Sequence, residues 1–245
     1  MYKILGVIPS RLGSTRLPEK PLRKILNKPM IQWVYEGASK SKLLSELVIA
    51  TDSESIVKAA STFGAKAILT SKYCASGTDR VAEVARMLTD FDIVVNVQGD
   101  EPMVNEVVVN ALIEPFSDKD VNMSSLMTPM ESGEESDPGA VKVVCKKNND
   151  AVYFSRCAIP FDRDGCGVAR YKHLGFYAYR RDFLLKLSNM EPTPLERAEC
   201  LEQLRVLENG FSIRMNLISF STKSVDTIED LIEVEKILRD KIGKN

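Results

Sequence analysis

The sequence predicts an α/β protein: a mostly parallel sheet with a small antiparallel lobe in its second half. Three observations carry this reading. Through residues 1–115, short apolar runs of strand length alternate with helical patterns. Those runs lack the polar alternation of a half-exposed strand, as a sheet covered on both faces requires. After them, strand-like segments follow one another with no long helix between them, before helices return to close the chain.

The elements follow in order. Lys3–Ile8 is an apolar first strand. Met30–Ser39 places Ile31, Val34, Tyr35 and Ala38 at helical spacing, with Pro29 near its start. Leu47–Ala50 is a strand, and Ser53–Phe63 a helix stopped by Gly64. Ala67–Leu69, Thr78–Leu88, Ile93–Val97 and Val104–Ile113 continue the alternation of strand and helix. Asn122–Met130, Val141–Lys146, Ala151–Ser155 and Lys172–Tyr179 are expected to be antiparallel, with Glu131–Gly139 and Asp162–Gly167 as turn-rich linkers. Helices at Arg181–Leu187 and Thr193–Glu208, a strand at Phe211–Ile218 and a helix at Thr227–Ile242 complete the reading. The chain reads as a single domain, with the lobe inserted over roughly residues 121–180.

Composition narrows the function. The 245 residues carry 33 Lys+Arg against 34 Asp+Glu, a net charge of -1, which excludes the basic footprint of a nucleic-acid binder. No apolar run approaches the roughly 20 residues of a membrane span, and the N-terminal run is too short for a signal peptide. A cytoplasmic protein is expected. The five cysteines (Cys74, Cys145, Cys157, Cys166, Cys200) contain no C-x-x-C pair and read as free thiols or small apolar residues. With His173 as the one histidine, a zinc site is excluded, and any metal should be a hard cation held by carboxylates, which points to Mg²⁺.

Four segments carry candidate chemistry. The loop from Pro9 to Pro21 follows a strand end, where ligands bind in sheets of this kind. Gly13 and Ser14 let backbone amides approach an anion, and Arg11, Arg16 and Lys20 can neutralise phosphates; the alternative is a basic surface loop. Asn96–Pro102 sets Asp100 just past the most apolar strand, beside Gln98 and Glu101, as a metal ligand or as a turn residue capping the next helix. Removing one carboxylate from an acidic metal site relieves repulsion, so Asp100→Asn is expected to leave folding intact or slightly improved. Thr227 and Asp230 resemble a helix cap, which leaves Asp226 either a metal ligand or a helix entry. Ser76–Arg80 opens a helix that either binds an anion or caps itself. Helix Thr193–Glu208 is apolar around most of its axis, so Glu202 and Arg205 read as functional charges or as an internal pair.

Together these motifs resemble those of the CTP-dependent sugar-acid cytidylyltransferases. The resemblance runs through Ile8–Pro18 with Lys20-Pro21-Leu22, Ala50-Thr51-Asp52, Ser76–Val84 and Val95–Pro102. It continues through Tyr153–Arg156 with Ile159-Pro160, His173-Leu174-Gly175, Leu201–Arg205 and Val225-Asp226-Thr227, and so covers essentially the whole chain. Within that family the match is to the branch acting on 3-deoxy-manno-octulosonate (Kdo). The resemblance implies a Rossmann-like nucleotidyltransferase sheet, and transfer of CMP from CTP to the anomeric hydroxyl of Kdo with release of pyrophosphate, for lipopolysaccharide synthesis. Two alternatives stand beside it: a sister enzyme for another acid sugar, such as 8-amino-Kdo or a nonulosonic acid, and an inactive CTP-binding regulatory protein.

The resemblance also implies residue roles. Arg11, Gly13, Ser14, Lys20, Ser76, Gly77, Thr78 and Arg80 would bind the nucleotide, and Asp100 and Asp226 would hold Mg²⁺. Lys20, Asp100 and Asp226 would be the catalytic set. Gln98, Arg156, His173, Tyr177, Glu202 and Gln203 would line the sugar site, with Arg156 pairing with the sugar carboxylate. The family also implies a homodimer. One departure is Glu19, where the family usually has Gly, and the Asp162–Arg170 connection is short for the family.

Overall fold

The computed structural model describes residues 2–13, 16–219 and 223–243. The chain divides into two compact units, Met1–Asn110 with Thr222–Asn245, and Ala111–Ser221.

The first unit is built on four parallel strands: β1 (Ile4–Ser10), β4 (Glu46–Thr51), β5 (Lys66–Leu69) and β6 (Ile93–Asn96). β1 pairs with both β4 and β6, and β4 pairs on with β5. Leu5, Val7, Val48, Ile49, Val94 and Val95 are wholly buried, which is why these runs carry no polar alternation. Between β1 and β4 lie the two-residue strands β2 (Lys24–Ile25) and β3 (Lys28–Pro29) and helix α1 (Met30–Ala38), which buries Met30, Ile31, Val34 and Ala38. Helices α2 (Glu54–Thr62) and α3 (Gly77–Met87) link the next strands, and α4 (Glu106–Ile113) runs across the unit boundary. The last helix of the chain, Ile228–Ile242, returns to this unit. Its buried Leu231, Val234 and Leu238 share a core with Leu17, Ile25, Met30, Met103 and Val225.

In the second unit β7 (Met123–Pro129) pairs antiparallel with β10 (Tyr171–Arg180), which pairs with β8 (Lys142–Cys145), which pairs with β9 (Ala151–Ser155). Helix α5 (Arg181–Leu187) follows. Two expectations are corrected here. The segment expected as one buried helix over Thr193–Glu208 is two, α6 (Pro194–Glu199) and α7 (Leu204–Glu208), broken where Cys200 turns left-handed at φ +51°. No glycine marks that break, and Leu195 is exposed, so the continuous apolar pattern misled. The final strand, β11 (Arg214–Leu217), is shorter than expected and runs parallel to β7. The chain-closing helix is then α8 (Ile228–Ile242). Among the described residues no helix is long and apolar enough to cross a membrane.

Candidate active site

A cavity of about 540 Å³ opens in the first unit where β1 and β6 end. Arg11, Gly13, Arg16 and Lys20 line it from the loop after β1, and Gln98, Gly99 and Asp100 from the turn after β6. Cys74, Ser76, Gly77, Arg80 and Asp226 complete its wall with Pro9, Ser10 and Pro21. Of the nucleotide residues named from the sequence, Thr78 is buried in the first turn of α3 rather than on the wall, and Ser14 lies outside the described residues.

Lys20 is the hub. It opens a short 3-10 turn stiffened by Pro21, and its Nζ donates to Asp100 Oδ2 at 2.8 Å and to Asp226 Oδ1 at 3.0 Å. Arg16 Nη2 reaches the same Asp226 oxygen at 3.1 Å. Burial would lower the Lys20 pKa, but the charges and hydrogen bonds of Asp100 and Asp226 outweigh it and hold the ammonium above its ordinary value. The Val225 amide donates to the Asp100 carbonyl at 2.9 Å, which ties the two carboxylate-bearing segments together. Gly99 permits the close approach: a Cβ there would lie 2.5 Å from the Pro9 carbonyl oxygen.

The open alternatives resolve locally. Asn105, not Asp100, accepts the amides of Val107 and Val108 at the start of α4, so Asp100 is not its cap. Thr227 and Asp230 form the capping box of α8, which leaves the Asp226 carboxylate facing Lys20 and Arg16. Ser76 does cap α3 reciprocally with Asp79, so its hydroxyl is engaged and its segment lines the cavity beside the amides at the helix start. Arg80 is 3% exposed and donates to Thr70 Oγ1 at 2.5 Å and Asp52 Oδ2 at 3.0 Å, which makes it a fixed part of the wall. Glu19 is exposed, sits left-handed at φ +55°, and does not line the cavity.

Sequence reasoning passed over Glu83. Its carboxylate accepts from the Ser71 amide at 2.9 Å and from the Cys74 thiol at 3.1 Å, pinning to α3 the loop that brings Cys74 to the cavity. Burial, with that carboxylate beside it, pushes the Cys74 thiol up to about 11. The signal lay in its spacing from Ser76, one helical turn beyond Asp79.

Gln98 belongs to the first unit, and the other five sugar-site candidates to the second. There His173 is packed edge-on to Phe154, with ring centroids 4.9 Å apart, and lies 5.6 Å from Tyr177. Its Nε2 is 3.0 Å from Ser125 Oγ and its Nδ1 3.5 Å from Gln203 Nε2. Burial pulls His173 down to about 3, so the ring is neutral. Burial, and then the charge of Glu202, raises the Tyr177 phenol above its ordinary range. Arg156 donates Nε to the Glu199 carbonyl at 2.7 Å, Nη1 to Pro138 at 2.9 Å and Nη2 to Cys200 at 3.3 Å. It thereby holds the Cys200 turn that leads into Glu202 and Gln203. Arg205 pairs with Glu196, at 2.5 and 2.8 Å, as a link between α6 and α7.

Comparison with known proteins gives the same direction. The cytidylyltransferase family model matches residues 5–218. The 3-deoxy-manno-octulosonate cytidylyltransferase of Fusobacterium nucleatum is 46% identical over 97% of this chain and 98% of its own. That of Acidobacterium capsulatum is 49% identical over 96% of each. The solved structure of CMP:2-keto-3-deoxy-manno-octonic acid synthetase complexed with CTP superposes at a TM-score of 0.94, with 40% identity over 98% of this chain and 99% of that one. At 12% identity, 4-diphosphocytidyl-2C-methyl-D-erythritol synthase from Anaerococcus prevotii shares the fold at a TM-score of 0.64, over 97% of this chain and 99% of that one.

Proposed function

The chain belongs to the cytidylyltransferase family, and from that premise we propose that the cavity around Lys20, Asp100 and Asp226 is where CTP is cleaved. The protein is a CTP-utilising nucleotidyltransferase that transfers CMP from CTP to 3-deoxy-D-manno-octulosonate, giving CMP-Kdo and pyrophosphate. The observation that carries the site assignment is the convergence of two carboxylates on one lysine beside a loop of further cations.

In the reaction the anomeric hydroxyl of the sugar gives up its proton to solvent as its oxygen attacks the α-phosphorus of CTP. The bond from that phosphorus to the bridging oxygen breaks, and its electron pair leaves with pyrophosphate. Little covalent chemistry falls to the protein, so its contribution is orientation and charge. Arg11, Arg16 and Lys20 neutralise the triphosphate, while the amides at Gly13 and Gly77 offer donors to the nucleotide; the Ser76 amide is held by Asp79 Oδ2 at 3.1 Å and shapes the segment.

Asp100 and Asp226 suit a hard divalent cation, since both are oxygen donors and both reach the same Nζ. Among the described residues no group of three or more His, Cys, Asp or Glu could hold a metal, so substrate phosphates and water would fill the remaining positions. That is the manner in which Mg²⁺ is ordinarily held. When bound it supplies charge neutralisation at the transferring phosphorus.

Within the second unit, His173, Tyr177, Glu202 and Gln203 take the acid sugar. Arg156 holds the turn before Glu202 and keeps N–H donors beyond the three it spends on carbonyls, enough to meet the sugar carboxylate. The protein works in the cytoplasm as a homodimer, a reading supported by its family and by exposed apolar side chains such as Phe161 and Val152 on the second unit. The test is pyrophosphate release with CTP, Mg²⁺ and a panel of Kdo, 8-amino-Kdo and a nonulosonic acid. Fastest release with Kdo is expected. Faster release with another sugar would reassign the acceptor, and release with none would favour a regulatory CTP-binding protein.

A further inference from the structure

In the second unit Ser125, His173 and Gln203 form a chain of hydrogen bonds whose polarity follows from counting protons. The ladder between β10 and β7 is irregular between Leu174 and Tyr177. There the carbonyls of Leu174 and Phe176 face the Ser125 hydroxyl at 3.3 and 2.8 Å. A hydroxyl has one proton, and carbonyl oxygens only accept. That proton is therefore held on the carbonyl side, and toward His173 Nε2, 3.0 Å away, Ser125 Oγ accepts. Nε2 carries a hydrogen. Ser125 and His173 are 0% and 9% exposed, and a neutral buried ring with Nε2–H leaves the lone pair on Nδ1. The neighbour of Nδ1 is the carboxamide nitrogen of Gln203, itself 5% exposed.

We propose that Ser125 is a positioning residue of the acid-sugar site, holding His173 as the Nε2–H tautomer so that Gln203 turns its amide nitrogen inward and presents Oε1 to the sugar. This rests on the assignment of His173 and Gln203 to the sugar site. With its nitrogen on the imidazole, the other end of the amide, Oε1, is an acceptor, so the group it recognises is a sugar hydroxyl and not the carboxylate, whose oxygens would face its lone pairs. The irregular ladder is what makes the device possible, because it leaves carbonyls for the serine to cap.

The chain has one histidine, so a ¹⁵N NMR spectrum of the imidazole nitrogens of the full-length protein reads His173 alone. At neutral pH the expected spectrum has a protonated Nε2 and an unprotonated Nδ1. An Nδ1–H tautomer, or a mixture, in the unaltered protein overturns the proposal without any variant having to fold. In Ser125→Ala the single-tautomer pattern should be lost. KM for Kdo should rise about tenfold, with KM for CTP moving less than about twofold. Gln203→Leu is measured beside it. If Gln203→Leu raises KM for Kdo and Ser125→Ala does not, the positioning role fails while the sugar-site reading stands. If neither variant moves it, the sugar-site reading fails and takes the proposal with it.

Discussion

The backbone amide of Val225 donates to the carbonyl of Asp100 at 2.9 Å, joining a turn after the fourth parallel strand to the segment before the last helix. This bond sets Asp226 beside Asp100, and Lys20 donates to both. The ammonium removes the carboxylate repulsion expected from the sequence, so Asp100→Asn is not expected to stabilise the protein. It takes away one of two ion-pair partners and should lower the melting temperature slightly.

Lys20→Met should abolish turnover and weaken CTP binding. It also has a signature in alkali. The folded pKa of Lys20 lies above its ordinary 10.5, so its stabilisation is complete below that pH and is lost as pH rises through the folded value. Denaturant unfolding from pH 8 to about 11.5 should therefore show an alkaline loss in the unaltered protein that is smaller in Lys20→Met. Parallel curves would contradict this.

Glu19→Gly should stabilise. An L-residue at φ +55° carries a steric cost of about 1–2 kcal/mol, offset in part by the extra freedom glycine has when unfolded. A net gain of up to about 1 kcal/mol is expected, with kcat unchanged because the side chain is off the cavity wall. A loss of stability in chemical denaturation would refute the strain argument.

Arg156→Ala should raise KM for the sugar more than KM for CTP and also destabilise the protein. Three carbonyls lose charged donors, at roughly 1.5–3 kcal/mol where a charged hydrogen bond is removed. Arg156→Lys should rescue little, since one ammonium cannot span the Glu199, Pro138 and Cys200 carbonyls. Rescue by lysine would mean that charge alone matters there.

His173 should not titrate in the physiological range. Burial holds its pKa near 3, so its C–H proton resonances should stay constant from about pH 8 to 5. The sign for stability follows: the folded value is below the unfolded one, so stability is full above about 6.5 and declines as pH falls toward 3. A midpoint near 6.5 would show the ring to be solvated.

Much of this was legible in the sequence because local rules and global packing agree. The apolar runs at Ile4–Ile8 and Ile93–Val95 are buried as their composition requires, and the capping signals at Ser76 and Thr227 mark true helix starts. Lys20, Asp100 and Asp226 were identifiable because each sits in a short motif at a strand end or helix entry. Non-local partners were not legible. Nothing in the sequence marks Cys200 for a left-handed turn, so α6 and α7 read as one helix. The partner of Arg205 is Glu196 across that turn, and its place could not be seen without the break. Ser125 is an ordinary strand serine until the irregular pairing of β10 turns two carbonyls toward it.

Whether Asp100 and Asp226 hold the cation for CMP transfer is read most plainly from kcat of Asp100→Asn with CTP and Kdo across a Mg²⁺ titration, with the melting temperature of the same preparation. The amide keeps shape and volume but removes the charge a hard cation needs, and the described residues supply no third ligand to replace it. The expected result is a folded protein whose kcat is lower by about two orders of magnitude or more, about 2.7 kcal/mol, at every Mg²⁺ concentration. Near-normal turnover at saturating Mg²⁺ would contradict the assignment.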